Sequence, residues 1–393
     1  MFSDSALRMG AEQNALYRLR DEIVRQGHSV VDLVSGNVTE HGLLFPQDRL
    51  EEILLQAGRA AQFYRPDPFG QLPARQAVGK YYEQRGVTLH PRNIVLTPGT
   101  SISYWYCFKL IANEGDEILC PSPSYPLFDY IAALCGVRMA HYSLDEQRDW
   151  AIDLDDLENQ VSNSTRAIVL ISPHNPTGRV TTQPELERLA EVALRHRLPV
   201  IADEVFSEFL FSDTGLPRPA GTKGTLVFTL NGFSKMFALP GLKLGWIGVS
   251  GPEDSVRTAM RALEIISDTF LPVSEIVQAA VPGIFPAGHD FLPSYRSEIC
   301  ARRATAEGRL RAFPGCSYVP PDAGFYVTVR LEEIDEGEAA ETILGKNHLL
   351  THPGYFYDMK PDHLVFSFIH RPERLDACLS DIRTTLASLE QQG

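Results

Sequence analysis

The sequence lacks most of the features that mark secreted, membrane-spanning and nucleic-acid-binding proteins. Only 6 of its 393 residues are cysteine and no two of them form a C-x-x-C pair, so we expect free thiols in a reducing compartment and no disulfide framework. No run approaches the roughly twenty apolar residues that a membrane span requires. Lys and Arg together number 36 against 50 Asp and Glu, a formal net charge of -14, which argues against a nucleic-acid partner.

Targeting and metal-binding patterns are also missing. The first ten residues, M-F-S-D-S-A-L-R-M-G, contain no basic segment followed by an apolar core, so we predict a cytoplasmic protein with no membrane partner. There is no H-E-x-x-H string and the scattered histidines lack ligand spacing, so no metal site is predicted. With 44% hydrophobic and 22% charged residues, the chain is typical of globular proteins with two or three domains of roughly 150 residues each.

Short apolar runs alternate with helical patterns through the middle of the chain. The runs at 167–171 and 199–202 are typical of buried strands, and the helix between them opens with a capping box formed by Thr182 and Glu185. A further apolar run covers 226–230. Because strands that alternate with helices form a parallel sheet, we predict an α/β fold.

Three polar residues, Asn175, Asp203 and Lys235, each follow one of these apolar runs. Ligands of open parallel sheets bind in the crevice outside the carboxyl ends of the strands. The three side chains are therefore predicted to converge on one site.

The strand predicted at 93–97 runs into a turn that suits a phosphate group. The turn opens a helix, and the first N–H groups of a helix are unpaired and lie at the positive end of its dipole. We predict that this helix directs Ile102, Tyr106 and Leu110 towards the core. The residues of the turn are Gly99, Thr100 and Ser101.

Helix and strand patterns are also present at both ends of the chain. A helix is predicted over 11–26, and a short strand over 30–34 follows it. Near the other end, strands are predicted at 325–329 and 364–368, and Pro372 begins a closing amphipathic helix. These patterns indicate an α+β arrangement.

The string 232–245, G-F-S-K-M-F-A-L-P-G-L-K-L-G, places Lys235 in a loop just past a buried strand. A lysine acts as a nucleophile only when neutral, so such a residue needs an enclosed, cationic neighbourhood that lowers its pKa. An ordinary surface lysine is the alternative interpretation of this residue alone. The whole string resembles the cofactor-lysine signature of class I and II aminotransferases, at every position except Lys243, where the family has an arginine.

The resemblance extends from about residue 30 to residue 379 and implies the α/β architecture of fold type I. A large domain would hold a mostly parallel, seven-stranded-type sheet between helices, and a smaller α+β domain would form from the two chain ends. We expect an N-terminal arm with part of the small domain over 1–44, a large pyridoxal-phosphate-binding domain over 45–285 and a C-terminal small domain over 286–393. A long helical stretch is predicted over 255–284, with residues 285–288, F-P-A-G, as a hinge.

The resemblance also assigns roles to individual residues. Lys235 would be the catalytic residue, which forms a Schiff base with pyridoxal 5'-phosphate and moves the proton at the substrate's α-carbon. Asp203 would pair with the pyridine nitrogen and keep it protonated, so that the ring acts as an electron sink. Asn175 would donate to the phenolic oxygen of the ring. The remaining contacts would be Gly99, Thr100, Ser101, Ser234 and Lys243 at the phosphate, Tyr125 stacked on the ring, and Gly36, Asn175 and Arg371 at the substrate.

A homodimer is implied as well. In the family, a tyrosine at the position of Tyr64 crosses the interface and reaches the partner's cofactor phosphate. The alternative interpretation of Tyr64 is a packing role, and that of Tyr125 is a loop aromatic that closes a hydrophobic edge.

Four positions depart from the family pattern. Lys243 keeps a positive charge but not the bidentate fork of arginine, and Gly232, which the signature allows, stands where many members of the family have a phosphate-binding serine. Phe206 stands where a tyrosine hydroxyl would bond the phenolic oxygen, so we predict that the Schiff-base proton is held more tightly. Val365 stands where the family has the arginine that binds the substrate α-carboxylate.

The loss of that arginine leaves three interpretations of substrate binding open. Another cation takes its place, with Arg371 and His370 as the first candidates, or the substrate has no carboxylate there, or the alignment is wrong at this position. The loop at 352–357 is a further source of hydroxyl groups.

The function that the resemblance implies is transfer of an amino group between an amino acid or related amine and a keto acceptor. Val365 makes a pyridoxal-phosphate-dependent lyase, decarboxylase or cyclase acting on an unusual amino acid the alternative. A pyridoxal-binding regulator with a DNA-binding module is disfavoured, because only about thirty residues precede the first matching strand.

Overall fold

The computed structural model describes residues 13–212 and 215–391. The first twelve residues of the predicted N-terminal arm, and with them the start of the helix predicted over 11–26, lie outside the described residues. The α-helices of the described part are α1 (Ala15–Arg25), α2 (Gln47–Ala60), α3 (Leu72–Glu83), α4 (Thr100–Ile111), α5 (Leu127–Cys135), α6 (Leu154–Asn159), α7 (Gln183–His196), α8 (Phe233–Met236), α9 (Glu253–Asp268), α10 (Glu275–Leu310), α11 (Glu336–Asn347) and α12 (Pro372–Glu390). Its strands are β1 (Val31–Asp32), β2 (Ile94–Thr97), β3 (Glu117–Ser122), β4 (Arg138–Asp145), β5 (Ala151–Ile152), β6 (Thr165–Ile171), β7 (Val200–Asp203), β8 (Val227–Gly232), β9 (Gly245–Ser250), β10 (Cys316–Tyr318), β11 (Tyr326–Leu331), β12 (Leu349–Leu350), β13 (His352–Pro353) and β14 (His363–Ser367).

A large sheet of eight strands forms the centre of the molecule, in the order β2-β9-β8-β7-β6-β3-β4-β5. The strands β8, β7, β6, β3 and β4 run parallel to one another, while β9 is antiparallel to both of its neighbours. The short β5 pairs antiparallel with β4 at one edge. It is an eighth strand, one more than the predicted seven. The predicted α/β fold with a mostly parallel sheet is confirmed.

Helices cover both faces of this sheet because its central strands are apolar on both faces. Ile168 on β6 packs in one core with Leu186 and Leu189 of α7. The next residue, Val169, points to the opposite face and packs in a second core with Ile201 of β7. No helix in the described part of the chain is both long enough and apolar enough to cross a membrane.

A small antiparallel sheet with the order β10-β11-β14-β13 lies in the C-terminal part of the chain. The N-terminal segment joins this region, since β1 pairs in parallel with β12 and the N–H of Ser367 donates to the carbonyl oxygen of Leu33 at 2.6 Å. The two chain ends therefore meet, as predicted for the smaller α+β unit.

The predicted hinge at 285–288 is wrong, because α10 continues through it. The interruption between the two long helices lies instead at 269–274, between α9 and α10. Proline inside a helix costs about 3 kcal/mol because it removes a hydrogen bond, yet α10 contains Pro282, Pro286 and Pro293. Tertiary packing overrides this preference: a Cβ on Gly288 would lie 2.4 Å from the Phe237 ring, so the glycine permits close helix packing.

Candidate active site

A cavity lies where the carboxyl edge of the large sheet meets the small sheet. Strand ends of the large sheet, the start of α4 and the segment after β1 all contribute side chains to it. The structure brings together most of the residues predicted from the sequence. Those that line the cavity are Gly36, Thr100, Ser101, Tyr125, Asn175, Asp203, Ser234 and Lys235.

Lys235 enters the cavity from α8, the single helical turn that follows β8. Its Nζ donates a hydrogen bond to the carbonyl oxygen of Gly36. Loss of hydration on burial lowers the pKa of Lys235 to about 8. The predicted lowering is thus present, and of its two expected causes, enclosure and neighbouring cations, enclosure accounts for it.

Asp203 ends β7 and presents its carboxylate to the same cavity. Oδ1 accepts from the backbone N–H of Val205 at 2.9 Å, and Oδ2 accepts from the hydroxyl of Tyr104, also at 2.9 Å. Burial raises the pKa of Asp203 to about 6, while the hydrogen bonds from Val205 and Tyr104 act in the opposite direction.

Asn175 follows β6 and completes the three strand ends. Its side-chain Oδ1 is buried and has no hydrogen-bond partner among the described residues. A buried polar atom without a partner is uncommon in folded proteins. A polar ligand in the cavity would supply the missing partner.

The predicted phosphate turn is built as expected between β2 and α4. Gly99 adopts a φ of 116° at the start of the helix and contributes no side-chain cap, so the first N–H groups remain available to an anion. The hydroxyls of Thr97 and Ser103 lie 2.8 Å apart and hold the turn in place. Lys243 does not line the cavity itself, but its Nζ is 3.9 Å from the position of a Cβ on Gly99.

Besides Gly99 and Lys243 at the phosphate turn, two further predicted residues, Tyr64 and Arg371, do not line the cavity. Tyr64 is 72% exposed on the surface of the single chain. Arg371 is exposed at the start of α12, where its guanidinium would contact a side chain on Gly42. The structure therefore does not bring Arg371 to the predicted substrate site.

The two other residues considered for the substrate carboxylate, His370 and Val365, do not supply a free positive charge. His370 is buried, with Nε2 2.8 Å from the carbonyl oxygen of Asp32 and its ring 3.9 Å from that of His41. Val365 is fully buried in β14 opposite Thr328. Of the described residues that line the cavity, Lys235 alone carries a positive charge.

Several cavity residues were missed in the sequence. Ile102 of α4 was predicted to point towards the core, but its side chain is 37% exposed. Tyr104 of the same helix is buried and lines the cavity. Tyr104 lies four residues after Thr100, a spacing that places both on one helix face. That spacing was the available signal. The other cavity residues that the sequence analysis gave no site role are Leu127, Phe128, Ile131, Ile171, Val205 and Tyr326.

Phe206, the predicted departure at the ring oxygen, also lines the cavity. Its ring packs edge-on against Phe325 with centroids 5.0 Å apart. It contributes an apolar surface and no hydroxyl group, so any partner for a ring oxygen at this place has to come from another residue, such as Asn175.

The chain is similar to known proteins over most of its length. The sequence matches the family described as Aminotransferase class I and II over residues 28–382. It is 29% identical to an alanine aminotransferase of Mycobacterium tuberculosis, over 96% of this chain and 92% of that protein. It is 27% identical to a glutamate-pyruvate aminotransferase of Escherichia coli, over 96% of this chain and 97% of that protein.

Solved structures show the same fold. The crystal structure of an aminotransferase from Escherichia coli superposes with a TM-score of 0.88 at 27% identity and covers 95% of each chain. An alanine aminotransferase from Pyrococcus furiosus superposes with a TM-score of 0.92 at 24% identity, over 99% of this chain and 100% of that one. The chain therefore belongs to the class I and II aminotransferase family and is an enzyme of the aminotransferase type.

Proposed function

We propose that the enzyme depends on pyridoxal 5'-phosphate and transfers an amino group between an amino acid or related amine and a keto acceptor, with Lys235 as the Schiff-base lysine. The observation that carries this proposal is the convergence of three strand ends on one cavity. A buried lysine with a pKa of about 8, a carboxylate and an unpaired amide oxygen meet there.

The residues present suit this cofactor at each of its polar groups. Asp203 offers an anion to the pyridine nitrogen, and Asn175 offers its side-chain amide to the ring oxygen. The start of α4 with Ser234 and the nearby Lys243 would bind the phosphate. Tyr125, whose side chain is 42% exposed at the mouth of the cavity, offers an aromatic face to the ring.

Close packing around Gly36 supports the same assignment. A Cβ on Gly36 would lie 2.6 Å from the Tyr326 hydroxyl and 2.7 Å from Lys235 Nζ. Any side chain at this position would fill the space beside the reactive amine. We propose that the backbone of Gly36 and the amide of Asn175 bind the substrate there.

When bound, pyridoxal phosphate supplies an aldehyde that exchanges amines and a ring that takes up the electrons left on the substrate's α-carbon. The chain's own residues set the protonation states. Asp203 as an anion would keep the pyridine nitrogen protonated. Lys235, because its pKa is about 8, has a substantial neutral fraction near that pH, and its amine would take the proton from the α-carbon and return it during transfer.

The donor and acceptor are proposed from the relatives. The names of the two relatives above contain alanine, glutamate and pyruvate, so these are the compounds to test first. No arginine lines the described cavity, and an unpaired carboxylate in an enclosed site costs several kcal/mol. Weak binding of simple amino acids is therefore expected unless a second subunit contributes a cation.

The proposal includes a homodimer in which Tyr64 reaches the partner's phosphate site. The exposure of this large aromatic side chain on the single chain supports a contact there. A cytoplasmic location is also proposed, supported by six cysteines that are all free. We further propose the division into an arm and part of the small domain (1–44), a large domain (45–285) and the rest of the small domain (286–393).

The test is the absorbance spectrum of the purified, cofactor-loaded enzyme during addition of L-amino acids and simple amines without a keto acid. We expect one of them to bleach the band of the lysine-bound cofactor and a keto acid to restore it. Release of ammonia or carbon dioxide without recovery of the band would contradict the transferase proposal. The matched control is Lys235→Arg, which keeps the charge and lacks the nucleophile.

A further inference from the structure

Asp203 is held in the cavity without a cationic partner. Among the residues that the structure describes, no lysine, arginine or histidine forms an ion pair with it. Its two oxygens instead accept one hydrogen bond each, Oδ1 from the N–H of Val205 and Oδ2 from the hydroxyl of Tyr104, both at 2.9 Å. The backbone donor is fixed by the chain, so Tyr104 is the side chain that decides how the carboxylate is oriented.

Tyr104 is itself rigidly placed. It lies on the second turn of α4, five residues beyond the phosphate turn at Gly99, and is 3% exposed. Its ring packs edge-on against Phe128 with centroids 4.7 Å apart, and against Phe108 at 6.0 Å. The hydroxyl therefore has one position available, and that position points at Asp203.

The proton on this hydroxyl is also fixed. Burial and the neighbouring Asp203 raise the pKa of Tyr104 well above its ordinary value, so the hydroxyl stays a donor at every pH at which the protein is used. A hydrogen bond donated to a carboxylate favours its charged form. Burial acts the other way on Asp203, and Tyr104 limits that effect.

The other titratable groups around Asp203 do not supply a donor of this kind. The Cys120 thiol on β3 contacts the Ser124 hydroxyl, with Sγ 3.7 Å from Oγ, and the Cys107 thiol on α4 forms no hydrogen bond with Asp203 in the described part of the chain. Glu204, next in the chain, pairs with Arg218 instead. Lys235 shares the cavity but is bonded to Gly36.

We propose that Tyr104 is a positioning residue: its hydroxyl orients the Asp203 carboxylate and keeps it ionised, so that Asp203 is ready to pair with the protonated ring nitrogen of the cofactor. The inference rests on the proposed function, because the pairing of Asp203 with that nitrogen belongs to it. The link between Tyr104 and Asp203 is a property of the protein alone.

The first test therefore uses the full-length protein stripped of cofactor. The carbonyl-stretch band of the protonated Asp203 is followed by infrared spectroscopy against pH, with Asp203→Asn as the subtraction that isolates it. In Tyr104→Phe we expect the midpoint of this titration to move upward by about one pH unit, a tenfold change in proton affinity. Tyr106→Phe is the matched control, since it removes a hydroxyl from another buried tyrosine of α4.

An unchanged midpoint in Tyr104→Phe, or an equal shift in Tyr106→Phe, would overturn the proposal. If Tyr104→Phe does not fold, 3,5-difluorotyrosine at position 104 replaces it. Its hydroxyl is a stronger donor, so the midpoint has to move downward, and an upward or absent shift would overturn the proposal.

A second readout uses the loaded enzyme. Tyr104→Phe is expected to lower kcat about tenfold while KM changes less than twofold, as for an interaction that acts on the transition state and not on substrate binding. If the wild-type protein did not bind pyridoxal phosphate, the proposed function would be wrong. The infrared titration would still decide whether Tyr104 controls Asp203.

Discussion

The two walls of the cavity are built in different ways. The wall from the large sheet presents polar side chains at successive strand ends, and it holds Asp203 and Lys235, the two charged residues among the described ones that line the cavity. The wall from the small sheet and the N-terminal segment presents Gly36 and Tyr326, with no charge. The proposed cofactor contacts therefore lie mainly on the large-sheet wall, and the proposed substrate contacts come from both walls, from Asn175 on one and Gly36 on the other.

A second contrast separates two acids that are adjacent in the chain. Asp203 faces the cavity and has no ion-pair partner among the described residues, whereas Glu204 is 1% exposed and forms an ion pair with the buried Arg218. Burial raises the pKa of Glu204 to about 7, and Arg218 opposes that rise. We therefore expect Asp203 to act in the chemistry and Glu204 to stabilise the fold.

The largest expected effect is on Lys235. Lys235→Ala removes the covalent attachment and the proton carrier together, so turnover should fall by about 10⁴-fold or more. Steady-state assays with added cofactor would measure this loss, and circular dichroism would check that the fold is retained. If Lys235→Ala kept its activity within tenfold of wild type, the reaction would not depend on Lys235.

Asp203 and Glu204 should respond in opposite ways. Asp203→Asn should lower kcat by about 10³-fold with little change in the free energy of unfolding, because it removes charge stabilisation from the reacting centre. Glu204→Gln should leave the activity of the folded enzyme nearly intact but lower the free energy of unfolding by about 3 kcal/mol, as expected for a broken buried ion pair. Kinetics and urea unfolding on both variants would measure the difference. If both variants lost kcat and stability to a similar extent, the two acids would not have the separate roles expected here.

The charge on Lys235 should appear in the pH dependence of stability. Because its pKa is lower in the folded chain, about 8, than in the unfolded chain, the unfolded state binds more protons between the two values and stability rises with pH there. Below pH 8 the folded protein carries a buried charge. Lys235→Met should therefore stabilise the cofactor-free protein by about 2 kcal/mol at pH 7 and by much less above pH 10.5. Equal stabilisation at both pH values would contradict the lowered pKa.

The smallest effect is expected for Arg371. Since this residue is exposed outside the cavity, Arg371→Ala should change KM for amino acid substrates less than about twofold. Substrate titrations of the variant beside wild type would measure it. A tenfold rise in KM would mean that the side chain moves into the cavity when substrate binds.

The sequence predicted the large-sheet wall because the relevant signals are local. An apolar run marks each buried strand, and the polar residue after it, such as Asp203 or Lys235, is placed by the parallel topology alone. The small-sheet wall depends on contacts between distant parts of the chain. Arg371 is close to Val365 in sequence, but that closeness did not predict its position in the structure.

Other differences arise from packing. The segment at 285–288 with its proline and glycine predicts a break, but α10 continues through it, and Gly288 lies so close to Phe237 that a Cβ would be 2.4 Å from its ring. Tyr104 lies in a helix with a largely apolar sequence, and its hydrogen bond with Asp203 joins residues 99 positions apart. The spacing from Thr100 indicates that Tyr104 lies on the site-facing side of the helix, but no local pattern predicts its contact with Asp203.

The most direct test of the account is the site of cofactor attachment. The protein is incubated with pyridoxal phosphate, reduced with borohydride and digested, and the modified peptide is identified by mass spectrometry. The account predicts one modified residue, Lys235, and no modification when Lys235→Ala is treated in the same way. Attachment mainly at another lysine, such as Lys243, or no attachment to the wild-type protein, would contradict it.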